Sequence, residues 1–294
     1  MANLKDIRTR IQSVKSTMQI TNAMKMVSAA KLKKAQEAIE NMRPYAEKIN
    51  ELLVSLSRTA GDEAGGMYAE ERPVQKVLIV PVTSNRGLCG ALNSNVIKET
   101  ENYIVQLQKQ GTEFELLTIG KRAYDAFKKK YSVVENRSDI FDKNVNYEKT
   151  METAAWLMEA FVSKRYDRIE LIFSEFKNAG LQKTVRMQYL PVEKPQQEKK
   201  GSHGVQLDFI FEPSQTEIVR ELIPKSLRVK FLRVIRDAWA SEHGARMTAM
   251  HKATDNAKEM AAELTLQYNK ARQAVITGEI LEIVSGAEAL KNQG

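Results

Sequence analysis

Residues that interrupt helices are scarce in this sequence and unevenly placed. Its 294 residues include 14 glycines and 7 prolines, yet residues 1–60 contain no glycine and one proline, Pro44. The single cysteine, Cys89, excludes an internal disulfide and a cysteine-based metal cluster. No apolar run reaches the ~18 residues of a membrane span. The first residues, MANLKDIRTRIQ, lack the apolar segment of a secretory signal peptide. We therefore expect a soluble, intracellular protein.

Positive charge is concentrated near the N-terminus. The net charge is +8, from 45 Lys or Arg and 37 Asp or Glu. Residues 1–34 hold one acidic residue, Asp6, and eight basic ones: Lys5, Arg8, Arg10, Lys15, Lys25, Lys31, Lys33 and Lys34. A solvated helix face and a docking surface for an acidic protein or a nucleic acid both fit this pattern, so charge alone leaves the partner open.

Residues 1–60 predict one long helix. Counting alternately four and three residues from Ile7 to Leu56 gives a repeat in which twelve of fifteen positions are apolar, which is typical of a coiled-coil seam. The three polar positions are consecutive: Thr21, Lys25 and Ser28. Nearby apolar residues lie off the seam: Ile20, Ala23, Met24, Met26 and Val27. We expect the apolar stripe to broaden or rotate there, and Pro44 to kink or interrupt the helix unless the seam holds it.

The pattern changes between residues 74 and 213. Short apolar, β-branched runs alternate with helical segments, which indicates a βαβ sheet with helices on its faces. The predicted strands are 76–82, 114–119, 132–134, 168–176, 184–190 and 207–211, and the predicted helices are 91–110, 121–130 and 147–164. A turn at Asn178–Gly180 makes the fifth strand antiparallel to the fourth, and residues 191–204 predict a mobile loop.

Residues 214–294 return to a helical pattern, with a break allowed at Pro224. A second seam, richer in small residues, follows: Met250, Ala253, Ala257, Met260, Leu264, Gln267, Ala271, Ala274, Gly278, Leu281 and Ser285. Two seams at opposite ends of a chain most simply pair as an antiparallel coiled coil. The sequence thus divides into an N-terminal helix (1–60), an α/β domain (74–213) and a C-terminal helix (214–294).

Motifs for catalysis are missing from the sequence. It contains no G-x-x-x-x-G-K-[ST] loop and no G-x-G-x-x-G fingerprint, and the segment Gly87–Gly90 is best interpreted as a tight turn. The three histidines, His203, His243 and His251, lack partners at metal-ligand spacing. Cys89 has no activating base nearby and is expected to be buried. We predict no catalytic residue, no cofactor and no metal.

Four segments together resemble the gamma subunits of F-type ATP synthases. They are TMQITNAMKMVSAAKLKKA at 17–35, TSNRGLCGALNSN at 83–95, SEHGARMTAM at 241–250 and AELTLQYNKARQAVITGEILEIVSGAEAL at 262–290. The resemblance extends over effectively the whole chain, and its C-terminal block fits the family signature throughout. It implies an α/β fold in which the terminal helices form an antiparallel shaft and the central domain is Rossmann-like but binds no nucleotide.

The resemblance also implies a function. In the family, the shaft enters a ring of three alpha and three beta subunits, and its base joins the epsilon subunit and a membrane ring of c subunits. This chain would then be a central-stalk rotor that couples proton-driven rotation to ATP synthesis, or the reverse, and makes no covalent change itself. A bacterial location is implied, peripheral on the cytoplasmic face of the inner membrane.

The same resemblance implies particular contacts with the catalytic ring. Those on the shaft are Met24, Lys25, Arg272, Gln273, Thr277 and Glu279, and those on a loop against a beta subunit are Arg86 and Cys89. Asn85 stands where the family more often has Asp, so an ion pair from that position to Arg86 is not expected. The apolar segment Leu281–Leu290 is expected to be a tip held in a hydrophobic bearing.

Two alternatives compete with the rotor interpretation. A nucleic-acid-binding coiled coil would use the basic residues of 1–34, but these alternate with Met, Ala and Ile rather than with aromatic residues that stack on bases. A nucleotide-dependent enzyme in the α/β domain would need a phosphate-binding motif, which is missing.

Overall fold

The computed structural model describes residues 4–60, 67–70, 72–142, 144–192 and 215–291. The fold is mixed α/β, with a long helix at each end. In chain order the elements are α1 (Leu4–Ala60), β1 (Lys76–Pro81), α2 (Leu92–Lys109), β2 (Glu113–Thr118), α3 (Lys121–Phe127), β3 (Val133–Asn136), a 3₁₀ turn (Ser138–Ile140), α4 (Tyr147–Val162), β4 (Arg168–Asn178), β5 (Leu181–Leu190) and α5 (Gln215–Lys291).

The chain divides into two compact units. The first unit comprises Met1–Ser28 and Met247–Gly294, and the second comprises Ala29–Arg246. Both α1 and α5 therefore contribute to each unit. The three domains predicted from the sequence remain a prediction. Their boundaries differ from those of the two compact units.

A five-stranded sheet lies in the second unit, with the strand order β3-β2-β1-β4-β5. The first four strands are mutually parallel, and β5 returns antiparallel to β4. The strands predicted between residues 76 and 190 are confirmed, including the antiparallel fifth strand, whereas the strand predicted at 207–211 lies outside the described residues. An order that places β1 inside the sheet is that of doubly wound, Rossmann-like folds.

The core of the second unit explains why these segments form strands and helices. β1 is buried on both faces, with Val77, Leu78, Ile79 and Val80 all 0% exposed, as expected of a central parallel strand. Aliphatic and aromatic side chains from α2, β2 and α3 pack against it: Val96, Tyr103, Ile104, Leu107, Leu116, Ala123 and Phe127.

Gly120 allows the carboxyl ends of β1 and β2 to approach closely. Its φ is +93°, and a Cβ atom there would lie 2.0 Å from the carbonyl oxygen of Thr83. The Thr83 hydroxyl in turn accepts a hydrogen bond from the backbone N–H of Ala123, at 2.9 Å. Only glycine permits this geometry, which joins the start of α3 to the loop that follows β1.

Both long helices continue through a proline. α1 contains Pro44 and α5 contains Pro224, so the interruptions that the sequence allowed at these positions are not found. Tertiary packing compensates for the lost backbone hydrogen bond, because Ile49 beyond Pro44 is 6% exposed and Leu227 beyond Pro224 is 2% exposed. No helix among the described residues has the length and apolarity needed to cross a bilayer.

Candidate functional site

The seam of α1 is present in both units. In the first unit every predicted position from Ile7 to Ser28 is buried or half-buried, and in the second unit the same holds from Leu32 to Ile49. The polar positions remain on the seam, since Thr21 is 9% and Ser28 3% exposed. The expected rotation of the apolar stripe is wrong, because most of the off-seam residues face solvent: Ile20, Met26 and Val27 are 60%, 58% and 57% exposed. Of the five, only Met24 is half-buried, so the stripe broadens at that one position.

Hydrogen bonds explain why polar residues are tolerated inside the seam. The Thr254 hydroxyl on α5 lies 2.9 Å from the Thr21 hydroxyl on α1. The Ser28 hydroxyl donates to the carbonyl oxygen of Met24, at 2.8 Å. Since buried polar groups are costly only when they are unpaired, the repeat keeps its period through this segment.

The seam of α5 differs in part from the prediction. Met250 and Ala257 are buried and Leu264 and Ala271 half-buried, as predicted. The predicted Ala253 is half-buried too, beside the half-buried Thr254. The predicted Met260 and Gln267 are exposed, and the half-buried positions there fall one residue later, at Ala261 and Tyr268. Towards the end of the repeat Gly278 is half-buried as predicted, whereas Ala274, Leu281 and Ser285 are exposed. Met260 and Ala261 both fit a repeat of about 3.5 residues. The sequence therefore favoured Met260 as the seam residue only because its side chain is the larger apolar one.

Beyond Ala271, α5 has almost no packing partner among the residues that the structure describes. Among residues 272–288, only Gly278 is half-buried and the rest are exposed. Six of the exposed residues are large and apolar: Val275, Ile276, Ile280, Leu281, Ile283 and Val284. Their exposure ranges from 40% for Val275 to 71% for Ile283, which is typical of a surface that binds another molecule.

The shaft residues predicted to contact a ring all belong to the first unit. Met24 and Lys25 are half-buried on α1. On α5, four predicted residues are exposed: Arg272, Gln273, Thr277 and Glu279. The Thr277 hydroxyl donates to the carbonyl oxygen of Gln273, at 2.9 Å. Arg272 and Glu279 are seven residues apart and so share one face of the helix.

The remaining predicted residues, Arg86 and Cys89, lie in the second unit on the loop Ser84–Gly90, which follows β1. Arg86 is exposed, whereas Cys89 is 2% exposed and its sulfur accepts a hydrogen bond from the Asn93 side chain, at 3.1 Å. The expected burial of Cys89 is confirmed. Its thiol therefore helps to shape the loop and is not displayed for contact.

Leu88 is the side chain that this loop displays. It is 62% exposed and has a φ of +62°, a backbone conformation that is unusual for a residue other than glycine. Leu88 was not among the predicted contact residues, because nothing in the sequence separates it from an ordinary turn residue.

An arginine of α5 holds the same loop. Arg246 donates hydrogen bonds from Nη2 to the carbonyl oxygens of Arg86 and Gly87, at 3.2 and 3.1 Å, and from Nε to that of Gly87, at 3.3 Å. Its Nη1 lies 2.7 Å from Glu242, and both side chains are less than 10% exposed. Burial raises the pKa of Glu242 above its usual value, although Arg246 opposes this shift. The i, i+4 spacing of Glu242 and Arg246 in the sequence could have indicated the pair.

Asn85 connects three segments at this edge of the sheet. Its side-chain N–H groups donate to the carbonyl oxygens of Ser138, at 2.9 Å, and of Phe141, and its Oδ1 accepts from the backbone N–H of Lys121, at 2.9 Å. The ring of Phe141 stacks on Trp239 of α5, with centroids 5.6 Å apart. An amide fits this position because a carboxylate could not donate either of the first two bonds.

α1 and α5 also contact each other within the second unit. The ammonium of Lys31 lies 5.6 Å from the ring centroid of Trp239, within the range of a cation–π contact. The guanidinium of Arg236 donates to the carbonyl oxygen of Ala38. Higher residue numbers on α1 thus face lower numbers on α5, so the two helices are antiparallel here, as predicted.

α5 also contacts the edge of the sheet where related folds bind ligands. The Ser241 hydroxyl donates to the carbonyl oxygen of Ser174 on β4, at 2.8 Å. A Cβ atom at Gly244 would lie 3.3 Å from the Phe176 ring. Nucleotides bind to doubly wound sheets at the carboxyl ends of the strands where the strand order reverses. Here β1 and β4 flank that point, and α5 packs against it.

His243 lies buried in the same part of α5. It is 3% exposed, its ring meets that of Trp239 edge to face with centroids 4.4 Å apart, and neither ring nitrogen has a hydrogen-bond partner among the described residues. Burial and the nearby positive charges of Arg246 and Lys31 lower its pKa to about 3. The residue is therefore neutral at physiological pH. Within the described ranges, His, Cys, Asp and Glu form no cluster that could hold a metal ion.

A cavity of about 390 Å³ lies elsewhere in the second unit, beside the end of α4. It is lined by Tyr68, Ala155, Met158, Glu159, Val162, Ser163, Pro224 and Arg228. None of these residues belongs to the loop Ser84–Gly90, so the cavity and the loop are separate features.

Known proteins resemble this chain over its whole length. The family model described as ATP synthase matches residues 3–290. Two similar relatives are the ATP synthase gamma chain of Flavobacterium psychrophilum, 56% identical over 99% of this chain and 100% of the relative, and that of Flavobacterium johnsoniae, 57% identical over 99% of each. A cryo-EM structure of the mitochondrial ATP synthase of Euglena gracilis (OSCP/F1/c-ring, rotational state 3) includes a similar chain, with a TM-score of 0.64 and 20% identity over 98% of this chain and 94% of that one. The relatives show the family and the Euglena structure supports the fold: the chain belongs to the ATP synthase gamma-chain family.

Proposed function

We propose that this chain is the central-stalk rotor of an F-type ATP synthase. Its terminal helices enter a ring of three alpha and three beta subunits, and its base joins the epsilon subunit and the membrane c-ring. Proton flow through the c-ring turns the stalk, and each orientation of the stalk favours a different conformation of a catalytic site. ATP hydrolysis drives the reverse rotation.

The observation that carries this proposal is the unpaired end of α5. Residues 272–288 expose six large apolar side chains on a helix that continues past the last half-buried seam residues. Burying such side chains stabilises a complex by about 1.5–3 kcal/mol for each one that is fully covered. A hydrophobic bearing within a ring of subunits would cover them.

Positive charge on α1 supports the identity of the partner surface. Lys33 and Lys34 are exposed, and the ion pair of Lys33 with Glu37 is long, at 4.0 Å, with side chains that are 80% and 56% exposed. A pair of this kind contributes little to stability. These cations remain available to acidic segments of the ring, and the half-buried Lys25 lies on the same helix.

The proposed role requires no reaction on this chain. α5 packs against the sheet edge where a nucleotide would bind, and the buried groups near it, Cys89, Glu242 and His243, take part in structural contacts. We infer that the gamma chain is non-catalytic and acts peripherally, on the cytoplasmic face of a bacterial inner membrane.

Reconstitution tests the proposal. The purified chain is mixed with the alpha and beta subunits of the same organism, and complex formation and ATP hydrolysis are measured with and without it. We expect one copy to join each ring and hydrolysis to depend on it. If no complex forms and hydrolysis does not depend on the chain, the rotor proposal is wrong. Salt-sensitive binding to a DNA duplex near physiological salt would then favour the nucleic-acid alternative.

A further inference from the structure

We propose that Arg246, held by Glu242, is a positioning residue that fixes the loop Ser84–Gly90 to α5, and that Leu88 is the side chain this loop presents to a subunit of the catalytic ring. The inference rests on the proposed rotor function. It also replaces the buried Cys89 with Leu88 as the contacting residue of the loop.

Leu88 is unfavourably placed for an isolated chain in two respects. Its side chain is 62% exposed, so an apolar group faces water. Its φ of +62° places the Cβ atom close to the backbone, a conformation that glycine adopts freely and leucine does not. Strained residues of this kind persist only where the surrounding structure fixes them, and they cluster at functional sites.

The contacts that fix Leu88 lie on both sides of it in the sequence. Before it, the carbonyl oxygens of Arg86 and Gly87 accept three hydrogen bonds from Arg246. After it, Cys89 is buried, and its sulfur lies 3.1 Å from the side-chain nitrogen of Asn93. With its neighbours anchored in this way, the Leu88 side chain is turned outward.

Arg246 suits this role because it is buried and held on two sides. Its side chain is 9% exposed, and one nitrogen pairs with Glu242 while two others reach the loop. A planar guanidinium can direct several N–H groups at once, whereas a lysine ammonium at the end of a flexible chain cannot reproduce that fork. The loop is therefore attached to the same helix that carries the exposed apolar tip.

The test compares stability with binding to the catalytic ring. Leu88→Gly removes the side chain and accepts the positive φ, so the free chain should melt at the same temperature or higher. Its affinity for the alpha–beta ring should nevertheless fall by about tenfold, because the contact of a buried leucine is lost. Arg246→Lys keeps the charge opposite Glu242 but loses the fork, so the affinity should fall by a similar factor.

A double variant shows whether the two residues act together. If Arg246 acts through Leu88, the variant Leu88→Gly/Arg246→Lys should bind no more than about twofold more weakly than Leu88→Gly alone. Leu88→Ala should also bind the ring more weakly than the unmodified chain, and Leu181→Ala is its matched control, because Leu181 is similarly exposed, at 58%. The control should bind the ring as the unmodified chain does.

Three results would overturn the inference. In the first, Leu88→Gly binds the ring with the affinity of the unmodified chain. In the second, the double variant loses affinity by the product of the factors lost in the two single variants. In the third, Leu181→Ala loses as much affinity as Leu88→Ala. Failure of the unmodified chain to bind the ring would instead contradict the rotor function itself. The two failures are therefore distinguishable in one set of binding measurements.

Discussion

Thr21 and Thr254 place a polar contact at a seam position where a coiled coil ordinarily buries apolar side chains. Their hydroxyl oxygens lie 2.9 Å apart. Each hydroxyl also reaches a carbonyl oxygen of its own helix, Met18 at 3.1 Å for Thr21 and Met250 at 2.8 Å for Thr254. Such a pair favours one register of the two helices over neighbouring registers, at some cost in stability.

Valine substitutions test the contribution of this pair. Thr21→Val and Thr254→Val should each lower the free energy of unfolding by about 0.5–1 kcal/mol, and the double variant should lose less than the two singles together. Urea unfolding followed by circular dichroism measures these values. Thr265→Val is the control, because its exposed hydroxyl donates within α5, to the carbonyl oxygen of Ala261 at 2.7 Å. A double variant that loses the full sum would show that the two hydroxyls are independent.

Asn85→Asp should destabilise the second unit. The carboxylate would face the carbonyl oxygens of Ser138 and Phe141, which now accept N–H groups. Leaving these groups unpaired should cost about 2 kcal/mol or more at pH 7, measured as a lower urea midpoint.

A second asparagine provides the control for this substitution. Asn178 uses Oδ1 to accept the N–H groups of Gly180 and Leu181, at 2.9 and 2.8 Å. A carboxylate keeps these two bonds, so Asn178→Asp should change the free energy of unfolding by less than about 0.5 kcal/mol. Equal losses in the two variants would contradict the donor role assigned to Asn85.

Asp237 should make stability fall as pH rises from about 4 to 6. Burial raises its pKa from 3.8 to about 6, and the nearest cation, Arg233, is 3.9 Å away. Between these two values the folded state binds more protons than the unfolded state, so raising the pH favours unfolding. The contribution is fully present below about pH 4 and is lost through pH 6, a change of about 2–3 kcal/mol.

His243 acts in the opposite direction, so the Asp237 effect must be measured as a difference. The pKa of His243 is lowered to about 3, and its contribution to stability is therefore lost as pH falls below about 6.5. Asp237→Asn removes only the carboxyl contribution. The stability of this variant relative to the unmodified chain should grow by about 2–3 kcal/mol between pH 4 and 7, and a constant difference would contradict the raised pKa.

Deletion of residues 281–294 should separate the bearing from the fold. The described side chains of this segment, from Leu281 to Glu288, are all exposed, so their loss removes few contacts within the chain. We expect an unchanged melting temperature and circular dichroism spectrum for the free chain but weaker binding to the catalytic ring. Loss of the α/β fold in the deletion variant would show that the segment has a structural role.

The sheet could be predicted from the sequence because its signals are local. Apolar β-branched runs, bounded by residues such as Gly111 and Gly120, predicted the five strands between residues 76 and 190. The seam of α1 was equally predictable from its repeat. The seam of α5 was predicted only in part, because Met260 and Ala261 both fit the repeat and tertiary packing chose the smaller residue.

The candidate site depends on contacts that are remote in sequence, and these were not predictable. Arg246 meets Gly87 across 159 positions, and no local pattern connects them. The exposure of Leu88 and the burial of Cys89 follow from the turn that this contact helps to fix. The resemblance to the family implied ring contacts for shaft residues such as Arg272 and Glu279. These residues are exposed, and their contact with the catalytic ring remains a prediction.

Rotation of this chain inside an immobilised ring tests the central claim most directly. Because Cys89 is 2% exposed, a cysteine introduced at the exposed Lys109 by Lys109→Cys can be labelled selectively with a bead, while the alpha–beta ring is fixed to a surface. With ATP, the bead should turn continuously in one direction and should stop when ATP is removed. A bead that shows only undirected fluctuation while the same complexes hydrolyse ATP would contradict the account.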